Sequence, residues 1–260
     1  MARLCGALRP DVGDTARIAA FPRINATLPR SVDWRSKLLE VRDQGATDEC
    51  VAYSCCAMKE CQDLPGVYLS TKYIYNQRKN QNSGGMYLWN AMEILMHGTP
   101  AEWKYSAWVG RKSEEDKTQV EQSAAQHRIK AYANVTSLVL LKSALATSGP
   151  CIASFPVYNY DKFWHPSQPG MRDLGGHCIT IVGYNDVEGV LIIRNSWGKT
   201  WGEGGYGKMA YADYHPWEAY STIDEDGIAN PEPKAPGLED VELSRGVVAD
   251  AAQKGCCRLM

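Results

Sequence analysis

From residue 50 to residue 62 the chain carries small, apolar, helix-compatible residues, preceded by Gln44-Gly45, which reads as a turn. Helical spacing continues downstream. Residues 70–80 begin on Ser70-Thr71, which suit a helix cap. Residues 86–97 set Leu88, Met92, Leu95 and Met96 at helical intervals, with Gly98 as a stop. Near residue 126 the period changes. Residues 128–135 read as a strand, and residues 137–147 as a short amphipathic helix closed by Ser148-Gly149-Pro150. Short β-prone runs follow at 151–157, 177–184, 189–194 and 206–211, parted by Gly, Asn and Asp turns. A helical half (about 36–125) followed by a strand half (about 126–222) predicts an α+β molecule with two lobes. Residues 1–27 show no clear period and form a leader. Residues 223–260, where Pro231, Pro233 and Pro236 stand among acidic residues, read as a disordered tail.

This pattern puts Cys50 in the first turn of a helix, where the macrodipole and free backbone N–H groups favour a thiolate. A lone cysteine there is more often packed as a small hydrophobe. Two later positions change that balance. His177 and Asn195 each sit at the edge of an apolar strand. A nucleophilic thiol needs a base for its proton, and the base needs an orienter. Cys50, His177 and Asn195 supply all three. Alone, His177 would read as a structural histidine and Asn195 as a turn residue. Cys178 beside His177 invites a metal reading, but no C-x-x-C or H-x-x-x-H pattern accompanies it, so no metal and no cofactor is expected.

The order and spacing resemble the papain-like cysteine proteases, whose His and Asn follow the Cys by ~130–150 residues. The resemblance is wider than these three residues. Leu28-Pro29-Arg30-Ser31-Val32-Asp33-Trp34 resembles the family's mature-domain opening, and Val41-Arg42-Asp43-Gln44-Gly45 its oxyanion segment. Ser83-Gly84-Gly85 resembles the glycine pair that meets substrate backbone. Asn195-Ser196-Trp197-Gly198 and Trp201-Gly202-Glu203-Gly204-Gly205-Tyr206-Gly207 resemble its closing motif. The resemblance implies a papain-like two-lobed fold over residues 28–222, with a helical lobe, an antiparallel β-barrel-like lobe and the site in the groove between them. It implies a cysteine endopeptidase of divergent or bacterial type. Cys50 would be its nucleophile, His177 its acid/base, Asn195 its orienter and Gln44 an oxyanion donor. Gly84, Gly85, Gly176 and Trp197 would line the substrate groove, Trp197 also shielding the Asn195–His177 contact. An acyl-transferring enzyme with the same residues, or a pseudoprotease that binds peptides without cutting them, are the alternatives.

One departure stands out. The family's Cys-Gly-Ser-Cys-Trp is here Thr47-Asp48-Glu49-Cys50-Val51. Asp48 and Glu49 either line the substrate site, favouring a Lys or Arg side chain there, or only complement the helix dipole.

Composition limits the rest. A net charge of −2 over 260 residues argues against a nucleic-acid surface, so the expected partner is a protein or peptide substrate. Nine cysteines without a regular framework favour an intracellular reducing compartment, or export without a signal peptide. The leader is shorter than the family's inhibitory propeptide, yet it could lie across the groove or serve as a surface strap. The terminal Cys257-Arg258-Leu259-Met260 fits a prenylation box loosely, so membrane association through a lipidated Cys257 is also an expectation.

Overall fold

The computed structural model describes residues 5–23, 27–63, 66–105, 114–159 and 163–224. The tail with Cys256 and Cys257 lies outside the described residues. In chain order the elements are β1 (Ala7–Leu8), α1 (Val12–Thr15), β2 (Ser31–Asp33), α2 (Cys50–Gln62), α3 (Thr71–Asn76), β3 (Met86–Tyr87), α4 (Leu88–Leu95) and α5 (Glu114–Ala125). They continue with β4 (Ile129–Asn134), α6 (Leu138–Thr147), β5 (Cys151–Pro156), β6 (Phe163–Trp164), β7 (Gly176–Asn185), β8 (Val190–Arg194), β9 (Tyr206–Ala210) and β10 (Glu218–Asp224).

The predicted helices and strands are present, with informative differences at their ends. Ser70 caps α3 as expected, its Oγ accepting the Tyr73 N–H at 3.1 Å. The helix expected from residue 86 starts at Leu88, because Met86 and Tyr87 pair in parallel with Ala7 and Leu8 of the leader. The strand β10 was not anticipated. It pairs with both β4 and β5 and buries Ala219 and Tyr220, so ordered structure runs past residue 222.

The strands form one sheet in the order β4-β10-β5-β7-β8-β9-β6, with β2 added to β7. All the pairings are antiparallel except β6 with β9. The sheet is open rather than closed into a barrel: the order has two ends, and among the described residues β4 does not pair with β6. β6 is two residues long, too short an edge to close a barrel.

Two cores flank this sheet. One packs Trp34, Leu145, Phe155, Ile181, Tyr184 and Ile193 beneath α6. The other surrounds α2 and takes in Ile74, Leu88, Met92 and Leu95, with Ile152, Cys178 and Tyr220 from the sheet. All of α2 except Tyr53 is buried, so its apolar residues run all round it rather than along a stripe. Side chains of this size stabilise the fold by ~1.5–3 kcal/mol each when fully buried. Two polar contacts stitch the helix to the sheet: Ser54 Oγ donates to the Cys178 carbonyl at 3.0 Å, and Thr180 Oγ1 to the Ser54 carbonyl at 3.2 Å. They fix the start of α2 against the start of β7.

Candidate active site

The nucleophile position is built from the segment before it. Arg42 places Nη2 2.6 Å from the buried Glu60 carboxylate and donates Nη1 to the Leu69 carbonyl at 3.0 Å. On the far side, Arg194 at the end of β8 holds the carbonyls of Leu39 and Glu40 at 2.7 and 2.9 Å. Gln44 is then tied to the residues after β8. Its N–H donates to the Ser196 carbonyl at 2.8 Å, and its Oε1 accepts from the Ser196 hydroxyl at 2.6 Å. Its Nε2 donates to the Thr47 carbonyl at 2.6 Å. The chain therefore enters α2 from a fixed direction, and Cys50 opens the helix as expected.

The thiol of Cys50 is fully buried, and this desolvation pushes it up to about 11. Hydrogen bonding from the backbones of Cys178, Gly6 and Val51 opposes that shift. Position at a helix start alone would favour the thiolate; here desolvation outweighs it.

Antiparallel pairing of β7 with β8 aligns Thr180 with Arg194. The start of β7 therefore lies beside the residues following β8, which brings His177 to Asn195. His177 Nε2 lies 2.8 Å from Asn195 Oδ1. That oxygen also accepts the Ser196 N–H at 2.8 Å. A backbone N–H can only donate, so the shared atom is an acceptor and His177 carries its proton on Nε2. Nδ1 is left with its lone pair and, though buried, has no hydrogen-bond partner. Trp197 stacks on the imidazole at 4.6 Å with planes 27° apart, and it is buried. Burial pushes His177 down to about 4, against the bond to Asn195. Burial thus favours the neutral form of each group, the thiol and the imidazole, over the ion pair the residue types alone suggest.

The leader lies over this site, with Ala7 packed in the same core cluster as Cys50. Gly6 accepts the Met86 N–H at 2.7 Å through its carbonyl. A Cβ on Gly6 would stand 1.9 Å from the Asp48 carbonyl oxygen. On the helical side a Cβ on Gly85 would meet the Gly6 carbonyl at 2.6 Å, and on the β side one on Gly176 would meet the Ala7 carbonyl at 2.1 Å. Residues 5–8 thus thread between Gly85 and Gly176 as an extended strand. The leader then passes through α1 and pairs Ala19 and Phe21 with Asn134 of β4, burying Phe21.

The structure places the other expected residues as follows. Gly84 and Gly85 lie on the helical side of the occupied groove, and Gly176 on the β side. The acidic pair does not present two free carboxylates. Glu49 is 3% exposed and pairs with Lys72, and Asp48 accepts the Tyr75 hydroxyl at 2.5 Å and the Gly85 N–H at 2.6 Å. Asp48 is thus engaged with the glycine loop and Glu49 with α3. Sequence reasoning missed Gly6 and Ser196. Nothing in the residues around them marks a role, because each acquires one only from a partner distant in the chain.

Residues 28–224 match the papain family cysteine proteases. A cathepsin L-like proteinase from Phaedon cochleariae is 31% identical over 197 residues, 68% of this chain and 59% of that protein. Among solved structures, xylellain, a cysteine protease from Xylella fastidiosa, has a TM-score of 0.73 at 24% identity, covering 86% of this chain and 98% of that one. The bromelain protease from Ananas comosus, in complex with the E64 inhibitor, has a TM-score of 0.59 at 21% identity, covering 76% and 100%. These two likenesses concern the fold. The chain spans about half the length of the curated relatives it matches. The matched stretch contains Cys50, His177 and Asn195, together with both lobes that bring them to one groove, and by that match the chain belongs to the papain family of cysteine proteases.

Proposed function

We propose that this protein is a cysteine endopeptidase held latent by its own leader. The observation that carries the reading is the fixed tautomer of His177: Nε2–H is committed to Asn195, and Nδ1 keeps its lone pair free to take a proton. Once the leader leaves, water reaches the groove and desolvation no longer disfavours the charged forms. The Cys50 proton passes to Nδ1, and the thiolate attacks the carbonyl of a protein or peptide substrate. The Cys50 N–H and the Gln44 amide are the donors for the oxyanion. Imidazolium then protonates the leaving amine, and the neutral ring takes a proton from the water that hydrolyses the thioester. Gly85 and Gly176 would accept substrate backbone where they now accept the leader. No observation favours the transferring or non-catalytic alternatives.

We propose a reducing compartment as the working site, on the ground that nine cysteines stand without a regular framework. The test uses E64 and a fluorogenic peptide library on full-length protein and on protein lacking residues 1–10. Expected are an E64 adduct on the Cys50 peptide and turnover, both faster in the truncated form, and neither in Cys50→Ser. An adduct without turnover of any peptide would overturn the peptidase reading.

A further inference from the structure

The two acids before the nucleophile grip one side of α3. Glu49 pairs with Lys72, and Asp48 Oδ1 accepts the Tyr75 hydroxyl at 2.5 Å. Lys72 and Tyr75 are three residues apart and so are neighbours on the helix surface. The other oxygen of Asp48 accepts the Gly85 N–H at 2.6 Å, and the Tyr75 hydroxyl oxygen lies 3.2 Å from the same nitrogen. A carboxylate and a phenol thus converge on one backbone donor. The Gly85 carbonyl is taken too, by Asn80 Nδ2 at 2.9 Å. Arg78 braces the loop from the other end. Its guanidinium lies 3.9 Å from the centre of the Tyr75 ring, with Nη1 on the Tyr75 carbonyl at 2.9 Å and Nη2 on the Ser83 carbonyl at 3.2 Å. Gly84 leaves the carboxylate its room, since a Cβ there would stand 2.2 Å from Asp48 Oδ2.

With both polar groups of Gly85 satisfied inside the loop, the next backbone donor along the chain is the Met86 N–H. The leader uses that donor: the Gly6 carbonyl accepts it at 2.7 Å. We infer that Asp48 is a positioning residue for the strand-binding edge of the groove. With Tyr75 it withdraws the Gly85 N–H and fixes the glycine loop against the start of α2. The Met86 N–H is then the donor presented to any extended chain, the leader in the closed form and substrate backbone in the open one. The inference deepens the peptidase reading and rests on it for the substrate; the hold on the leader stands without it. It also gives a role to a departure in the sequence. Asp48 stands where the family's Cys-Gly-Ser-Cys-Trp has glycine, which has no side chain to reach the loop.

Asp48 is two residues from Cys50, so the lock carries the position of the nucleophile across to the loop. Its oxygens serve Tyr75 and Gly85, not the reacting atoms. Losing them therefore falls on binding, which KM reads, and leaves kcat nearly unchanged. Hydrogen bonds to an ionised acceptor are the strong ones, so the loss is measurable. An amide keeps the lock in part: the oxygen of an asparagine can accept the Gly85 N–H while its nitrogen donates to the Tyr75 hydroxyl. Alanine keeps neither bond and leaves the Gly85 N–H to Tyr75 alone.

The experiment has two arms, both in the full-length chain. The first follows amide hydrogen exchange of Gly85 and the rate at which iodoacetamide labels Cys50. Both are expected to quicken about 10-fold in Asp48→Ala, with Asp48→Asn falling between it and the unchanged chain. The second measures peptide kinetics in the chain carrying Gly6→Val, so that the leader does not compete for the edge. There Asp48→Ala should raise KM about 10-fold with kcat held within about 2-fold, and Asp48→Asn should recover most of the loss. Should Asp48→Ala not fold, Tyr75→Phe, which removes one hydroxyl, carries the same comparisons. Unchanged Gly85 exchange in a folded Asp48→Ala protein would overturn the inference. So would a fall in KM, because substrate would then be using the Gly85 N–H that Asp48 had withheld. A loss confined to kcat would also overturn it, by placing Asp48 in the chemistry. If no form of the protein turns over peptide, the peptidase reading fails, while faster Gly85 exchange and faster labelling in Asp48→Ala would still support the lock.

Discussion

At the scale of single residues, the chemistry depends on where one proton sits. The shared Oδ1 of Asn195 puts it on His177 Nε2 and leaves Nδ1 basic. His177→Ala should remove the ~10²–10⁴-fold that a positioned acid/base supplies, and Asn195→Ala should lose less, because it orients the ring without exchanging a proton. Turnover of a peptide by both variants checks the order; Asn195→Ala falling below His177→Ala would reverse the assigned roles. The closed groove also has a pH signature. Burial holds His177 at about 4 against an ordinary 6.5, so the closed form carries it neutral. Between those values an open groove binds a proton that the closed one does not. The closed form is therefore fully favoured above pH 6.5 and loses ground as pH falls toward 4. Amide hydrogen exchange of Gly6, Ala7 and Leu8, corrected for intrinsic rates, should be faster at pH 5 than at pH 7.5. The readout must be local, because Glu218 acts the other way: burial pushes its carboxyl up to about 7, which adds stability to the fold as pH falls through that value.

At the scale of elements, two devices hold the site together. The segment leading into α2 depends on Arg42, whose partner Glu60 is 1% exposed. Arg42→Met would leave that carboxylate buried and unpaired, at a cost of ~3–5 kcal/mol. Urea denaturation should show the loss, and the paired change Arg42→Met with Glu60→Leu should recover most of it. The second device is the leader strand. Gly6 has no room for a side chain, since a Cβ would reach 1.9 Å from the Asp48 carbonyl. Gly6→Val should expel residues 5–8 from the groove and speed E64 labelling of Cys50 several-fold. An unchanged labelling rate would mean that the strand opens freely without help.

At the scale of the whole molecule, the leader divides into a removable part and a structural part. Residues 5–8 cover the nucleophile, whereas Phe21 is 6% exposed within the core of the β lobe and its N–H donates to the Asn134 carbonyl at 2.8 Å. Deleting residues 1–10 should raise kcat/KM and leave the melting temperature unchanged. Deleting residues 1–27 should activate equally but also destabilise, by an amount on the order of the ~3–5 kcal/mol typical of losing a buried Phe. Thermal melts of the two truncations separate these roles.

Local pattern was enough for much of this protein. Small apolar residues after a turn placed Cys50 at a helix start, alternating short runs placed His177 and Asn195 at strand edges, and the ordered motifs marked the family. Those features are carried by neighbours in sequence, where periodicity and turn chemistry act. What sequence could not settle are the properties created by distant partners. Desolvation favours the neutral forms of Cys50 and His177, through burial assembled from segments far apart in the chain. Asp48 and Glu49 read equally as a charged wall or as complements to the helix dipole; only the fold showed Asp48 bonded to Tyr75 and Gly85, and Glu49 paired with Lys72. Met86 and Tyr87 left their helix because a strand more than seventy residues earlier paired with them. β10 was hidden at the edge of an acidic tail, since its burial comes only from β4 and β5 on either side. In each case the deciding term was burial or a hydrogen bond supplied across the fold, and neither is written in the residue's own neighbourhood.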